Sequence, residues 1–84
     1  MTTPEWLKER GGEFKLASDC RTWYVVFEGQ PQYSLVATPV NGQFGCTIRQ
    51  TINGKYIECN AVQVTADDAL GAGLDALRQA LGWA

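Results

Sequence analysis

The sequence contains no histidine. That removes the commonest general base at neutral pH and the commonest metal ligand before any motif is sought. Its three cysteines, Cys20, Cys46 and Cys59, are odd in number and show no CxxC-like spacing. Neither a zinc cluster nor a disulfide framework is indicated, and free thiols in a reducing cytoplasm are expected. Seven Lys and Arg stand against nine Asp and Glu, a net charge of −2. A weakly acidic chain lacks the broad positive field that draws proteins to nucleic acid or anionic lipid. No apolar run approaches the roughly 18 residues of a membrane span. The start, Met1-Thr2-Thr3-Pro4-Glu5, has no basic segment or apolar stretch of a signal peptide.

The chemistry of sites is equally sparse. The glycines form neither a dinucleotide-binding fingerprint nor a phosphate loop, and no glycine-flanked serine elbow appears. Ser18 and Ser34 have no histidine to activate them. Asp67 and Asp68 are adjacent acids, but their position at a helix start gives them a sufficient role in capping and in complementing the helix dipole. No catalytic residue, metal ligand or cofactor is expected, and the chain does not read as an enzyme.

What is present is the composition of a globular domain. Hydrophobic residues make up 45% and charged residues 19% of the 84, which argues against disorder and for one domain spanning 1–84. Thr3-Pro4-Glu5 reads as a helix start with a hydroxyl N-cap, and Gly11-Gly12 ends that helix after about two turns. Trp6 and Leu7 are its only large apolar residues. From 13 to 64 the period becomes two. Phe14 and Leu16 alternate, and Trp23, Val25 and Phe27 alternate against Tyr24, Val26 and Glu28. The second run is apolar on nearly both faces and belongs inside a sheet. A turn at 29–32 leads to another alternating run, which Pro39 and Asn41-Gly42 break.

Two β-rich runs, 44–52 and 55–62, flank Asn53-Gly54, the preferred pair of a two-residue type I′ hairpin. Such a loop sets Ile52 against Lys55, Gln50 against Ile57, Ile48 against Cys59 and Cys46 against Ala61. The opposite face then pairs Thr51 with Tyr56, Arg49 with Glu58 and Thr47 with Asn60, a polar set. Cys46 and Cys59 share the apolar face, where buried cysteine is a common small hydrophobe. Thr65 opens a last helix. Its Leu70, Leu74, Leu77 and Leu81 form one stripe, with Gly73 beside it for close approach. Gly82 ends the helix, and Trp83 is expected to fold back over it. Gly71 has no assigned role beyond a contact with a partner chain.

The expected fold class is therefore α+β. It comprises an antiparallel sheet of three to five hairpin-connected strands, a C-terminal amphipathic helix on one face and a short N-terminal helix. The run Pro31-Gln32-Tyr33-Ser34-Leu35-Val36, the hairpin about Asn53-Gly54 and the helix from Thr65 resemble the double-stranded-RNA-binding domain over residues 31–82. The resemblance implies three strands followed by a helix. That family grips phosphates with lysines at the helix start. Here those positions are Ala66, Asp67, Asp68 and Ala69, and the loop 40–43 has no histidine, so duplex binding is not implied.

Among the aromatic residues, Tyr56 falls on the wet face beside Arg49 and Thr51. Tyr and Arg are frequent interface anchors and also form stacking platforms for bases. Arg49, Tyr56 and Thr51 are the candidate binding residues. The expected function is a non-enzymatic interaction module whose partner is a protein or a second copy of the chain. The alternative is nucleic-acid binding on the exposed sheet face, and no membrane is expected.

Overall fold

The computed structural model describes residues 2–83. It shows an α+β fold: a five-stranded antiparallel sheet, a short N-terminal helix, and a C-terminal helix packed against the sheet. The elements follow in the order α1 (Glu5–Lys8), β1 (Gly12–Leu16), β2 (Thr22–Phe27), β3 (Gln30–Val40), β4 (Gln43–Gln50), β5 (Tyr56–Ile57) and α2 (Ala66–Ala80). The strands lie in the sheet in their sequence order, so every connection is local.

Alternation decides which face is core. Phe14, Val25, Leu35, Cys46 and Ile48 point to one side and are buried there with Leu70, Leu74 and Leu77 of α2. The leucine stripe expected from the spacing is the buried face of the helix, and Leu77 has no exposed surface. Removing a side chain so enclosed typically costs about 2–5 kcal/mol. Gly73 lets the helix come down onto β4, because a Cβ there would overlap the Cys46 Sγ and crowd Leu35 Cδ2 at 3.2 Å. Gly71 faces open space, and no atom outside its own helix lies within 4 Å of where its Cβ would be.

α1 closes the far end of the core with fully buried Leu7. Its start differs from expectation. Pro4 occupies the N-cap position without a side-chain cap, while the Thr3 hydroxyl accepts a hydrogen bond from the Phe14 amide at 3.0 Å. Thr3 thus ties the N-terminal segment to the edge of β1. At the other end of the chain Trp83 folds back as expected. Its amide donates to the Arg78 carbonyl, the Gly82 amide donates to that of Gln79, and Arg78 Nε donates to the Trp83 carbonyl at 2.9 Å. These are the bonds of a Schellman ending. The indole then meets Trp6 and Phe27 edge-on, with the Arg10 guanidinium 4.4 Å from its centroid.

The hairpin turns are where sequence and structure diverge. Asn41 and Gly42 both have positive φ, 48° and 80°, and join Val40 directly to its partner Gln43. This is the two-residue type I′ geometry. Asn53-Gly54 does not form it. Only Gly54 has positive φ, and the loop runs over residues 51–54, closed by the Gln50 amide on the Lys55 carbonyl and by the Gly54 amide on the Gln50 carbonyl.

The four-residue loop moves the register by two. Ile48 faces Ile57 and Arg49 faces Tyr56, not Cys59 and Glu58. The expected register returns at the base of the hairpin, where Phe44 and Gln63 exchange backbone bonds of 2.8 Å. Residues 58–62 absorb the two extra positions, so the return strand expected over 55–62 shrinks to Tyr56–Ile57. The shift is even, and the faces therefore keep their assignment.

The cause lies in β3. The register changes from Val25–Tyr33 to Val26–Pro31, leaving Gln32 as an extra, bulged residue. Its carbonyl accepts the Thr51 amide at 3.0 Å, and the Thr51 hydroxyl donates to the Pro31 carbonyl. Thr51 is thereby held to β3 and is not free to pair with Tyr56. The β5 edge is consequently irregular through residues 58–62, whereas β1 pairs regularly and has its outward Phe14 amide taken by Thr3.

Candidate functional site

α2 and α1 pack on one face of the sheet, and no element among the described residues packs on the other. The strand registers set a single row across that open face: Lys15 opposite Tyr24, Tyr24 opposite Ser34, Ser34 opposite Arg49, and Arg49 opposite Tyr56. With neighbouring strands about 4.8 Å apart, the row extends for about 19 Å. The next row pairs Thr22 with Val36 and Val36 with Thr47. Hydroxyls, two tyrosines and two cations thus lie along the open face, with half-buried Val36 on one side of the row and half-buried Val26 on the other.

Arg49 and Tyr56 end the row. The Arg49 guanidinium stands over the Tyr56 ring, 5.0 Å from its centroid, while the tyrosine remains 69% exposed. At such exposure the contact contributes about 0.5–1 kcal/mol. Its importance is geometric, because it holds a long, flexible side chain in one place. Gly54 makes room, since a Cβ at that turn position would lie 3.0 Å from Arg49 Nη2. At the other end Lys15 Nζ meets Glu13 Oε2 at 3.1 Å, an exposed pair worth little. No carboxylate among the described residues lies within ion-pair distance of Arg49.

Of the three candidate residues, the structure brings Arg49 and Tyr56 into contact. Thr51 sits beside them in the chain, with its amide and hydroxyl engaged by β3. Sequence reasoning missed Lys15, Tyr24 and Ser34. Their alternation is visible in the sequence, but joining them into one row requires the strand order and the bulge at Gln32.

Other clusters are arranged for structure. Burial, helped by neighbouring Cys59, pushes the Cys46 thiol up to about 12. It is therefore a protonated, poorly nucleophilic group near neutral pH. Asp19 closes the β1–β2 loop by accepting from the amides of Arg21 and Thr22, both at 2.9 Å, and from the Thr22 hydroxyl at 2.7 Å. Those bonds hold its carboxyl down to about 2. Asp67 and Asp68 lie in the first turn of α2, where the Asp68 amide donates to the Thr65 hydroxyl at 3.1 Å. A shallow groove of about 610 Å³ runs beside the C-terminus between Arg10, Phe27, Tyr33 and Trp83. No helix among the described residues is long and apolar enough to cross a membrane. No protein-family model, curated protein or solved structure matches this chain.

Proposed function

We propose that this domain is a non-enzymatic interaction module that binds a protein, either a distinct partner or a second copy, on the open face of its sheet. The observation that carries this reading is the Arg49–Tyr56 contact. An unpaired guanidinium is held over an exposed ring at one end of a hydroxyl-lined face, and Arg and Tyr are the side chains most enriched at binding hot spots. The sheet edges offer less. Residues 58–62 bulge away from regular pairing, and Thr3 takes an outward amide of β1. Such features discourage strand addition. The free thiols fit a reducing cytoplasm.

The order β3, β4, β5, α2 is in keeping with the double-stranded-RNA-binding-domain-like arrangement. The acids Asp67 and Asp68, where that family has lysines, turn the reading away from duplex RNA.

The test is retention of protein from native lysate on immobilised wild type, on Arg49→Ala/Tyr56→Ala, and on Asp75→Ala as a helix-face control. A protein kept by wild type and control but lost by the double variant supports the reading. Equal retention on all three, or none with a monodisperse monomer, overturns it. Amide-shift titration with a short RNA duplex and a single strand at low salt tests the alternative. Shifts at 41–43 and 65–68 with the duplex would indicate duplex binding, and shifts at Arg49 and Tyr56 with the single strand would indicate base stacking.

A further inference from the structure

We infer that the occupant of this face is a second copy of the chain, packed sheet to sheet about a two-fold axis that runs along β3. The inference rests on the sheet-face reading above and names its partner.

Symmetry gives the first argument. Such an axis lays β1 over the partner's β5, β2 over its β4 and β3 over its β3, without moving any residue along the strands. The face matches itself under that operation. The row Thr22–Val36–Thr47 reads the same from either side, so valine meets valine on the axis and threonine meets threonine beside it. The longer row, Lys15, Tyr24, Ser34, Arg49 and Tyr56, reads cation, ring, hydroxyl, cation, ring. Laid over its own reverse, it sets each cation against a ring and Ser34 against itself.

Charge gives the second. The face carries both signs, with Glu13 near Lys15 on β1 and Glu58 two residues beyond Tyr56, so it selects neither an acidic nor a basic ligand. A copy of the chain supplies both. Glu13 and Gly54 stand two residues before Lys15 and Tyr56, on strands that run the same way, and the axis therefore brings Glu13 over the partner's Gly54. The Arg49 guanidinium stands there, with Nη2 3.0 Å from the position of a Gly54 Cβ. Each Glu13 thus meets the partner's Arg49, and symmetry makes two such pairs. On the other side of the row, Glu58 comes toward the partner's Lys15. The present Glu13–Lys15 bond joins two exposed side chains and is worth too little to prevent the exchange.

Facing sheets cross at about 30°, which displaces the outermost strands by about 5 Å and leaves β3 in place. Glutamate, lysine and arginine side chains span that displacement. Five strands and three rows bury about 1,000 Å² counted over both copies, the low end of specific interfaces. The association is therefore reversible and depends on concentration.

The experiment is sedimentation equilibrium over a concentration series reaching the millimolar range. The samples are wild type, Glu13→Arg, Arg49→Glu, and an equimolar mixture of the two variants. Wild type is expected to pass from monomer to dimer. Each variant alone should dimerise about tenfold more weakly or worse, because two attractive contacts become repulsive. Their mixture should recover the wild-type affinity, since the mixed dimer again pairs opposite charges at both contacts. Between labelled and unlabelled wild type, a nuclear Overhauser contact is expected from one Val36 methyl to the other.

A dimer equally stable in both variants, or a mixture no tighter than its components, overturns this arrangement. A monomer at every concentration overturns self-association itself. The lysate experiment then decides separately whether the face binds a different protein.

Discussion

Two glycines two residues apart in α2 are expected to respond to the same substitution with opposite signs. In a helix interior alanine is favoured over glycine by about 1 kcal/mol. At Gly71 the added methyl meets nothing within 4 Å, so Gly71→Ala should keep most of that gain. At Gly73 the methyl would fall within the space of the Cys46 Sγ, with Cys46 Cβ at 3.0 Å and Leu35 Cδ2 at 3.2 Å. Cys46 and Leu35 are buried strand residues and cannot swing aside, so the helix must lift.

Overpacking of this kind costs about 1–3 kcal/mol. The upper part of that range applies because Leu70, Leu74 and Leu77 lift together. After the propensity gain, Gly73→Ala should lose about 1–2 kcal/mol. In a domain of this size each kcal/mol moves Tm by about 4–8 °C. Urea and thermal unfolding of the two variants measures both signs. A double-mutant cycle with Cys46→Ala, which removes the offending sulfur, should recover part of the Gly73→Ala loss through a favourable coupling. If both glycine variants are stabilised equally, or if the cycle shows no coupling, the close helix–sheet contact at Gly73 is wrong.

The cysteines should separate under an alkylating reagent at neutral pH. Exposed Cys20 should react first and buried Cys46 only on unfolding, as mass mapping over time would show. Asp19 should give the acid limb of stability a distinct step. Its carboxyl falls from 3.8 to about 2 on folding, so its contribution is complete above pH 3.8 and is lost as pH drops toward 2. The difference between wild type and Asp19→Ala in urea midpoint should accordingly shrink over that window. Gly42→Ala, at φ 80° in the tight β3–β4 turn, should destabilise by about 1 kcal/mol or more, with no loss of the sheet's circular dichroism below the transition.

Much of the fold is legible because most of its signals act locally and agree. The stripe Leu70, Leu74, Leu77 and Leu81 fixes a helix and its buried side. Alternation from Phe14 to Ile48 fixes a sheet with one wet face. The two Asn-Gly pairs show where local signals stop being sufficient. Both have the chemistry of a type I′ turn, and only Asn41-Gly42 forms one. At Asn53-Gly54 a longer loop wins, because Thr51 gains two bonds to the bulge at Gln32 and Pro31. Those partners lie about twenty positions away in the sequence, outside any local window. The Thr3 cap is lost to a similar tertiary competitor, the Phe14 amide. In each case a long-range hydrogen bond to an otherwise unpaired backbone group outweighs a local preference worth about 1 kcal/mol.

The same register shift builds the candidate site. Under a two-residue loop Arg49 would face Glu58, an opposite charge directly across the strands, and its guanidinium would be internally neutralised. The four-residue loop replaces Glu58 with Tyr56, and Glu58 instead accepts from the Asn60 side chain at 3.0 Å. An ion pair is thereby exchanged for a cation over a ring. Little stability changes, since exposed ion pairs and exposed cation–π contacts are each worth about 1 kcal/mol or less. The surface changes greatly, because the Arg49 guanidinium then has no carboxylate within ion-pair distance among the described residues and stands over an exposed ring. Shortening the loop to restore the two-residue turn should therefore leave the fold intact and abolish recognition at Arg49. That outcome would separate the site's chemistry from the domain's stability.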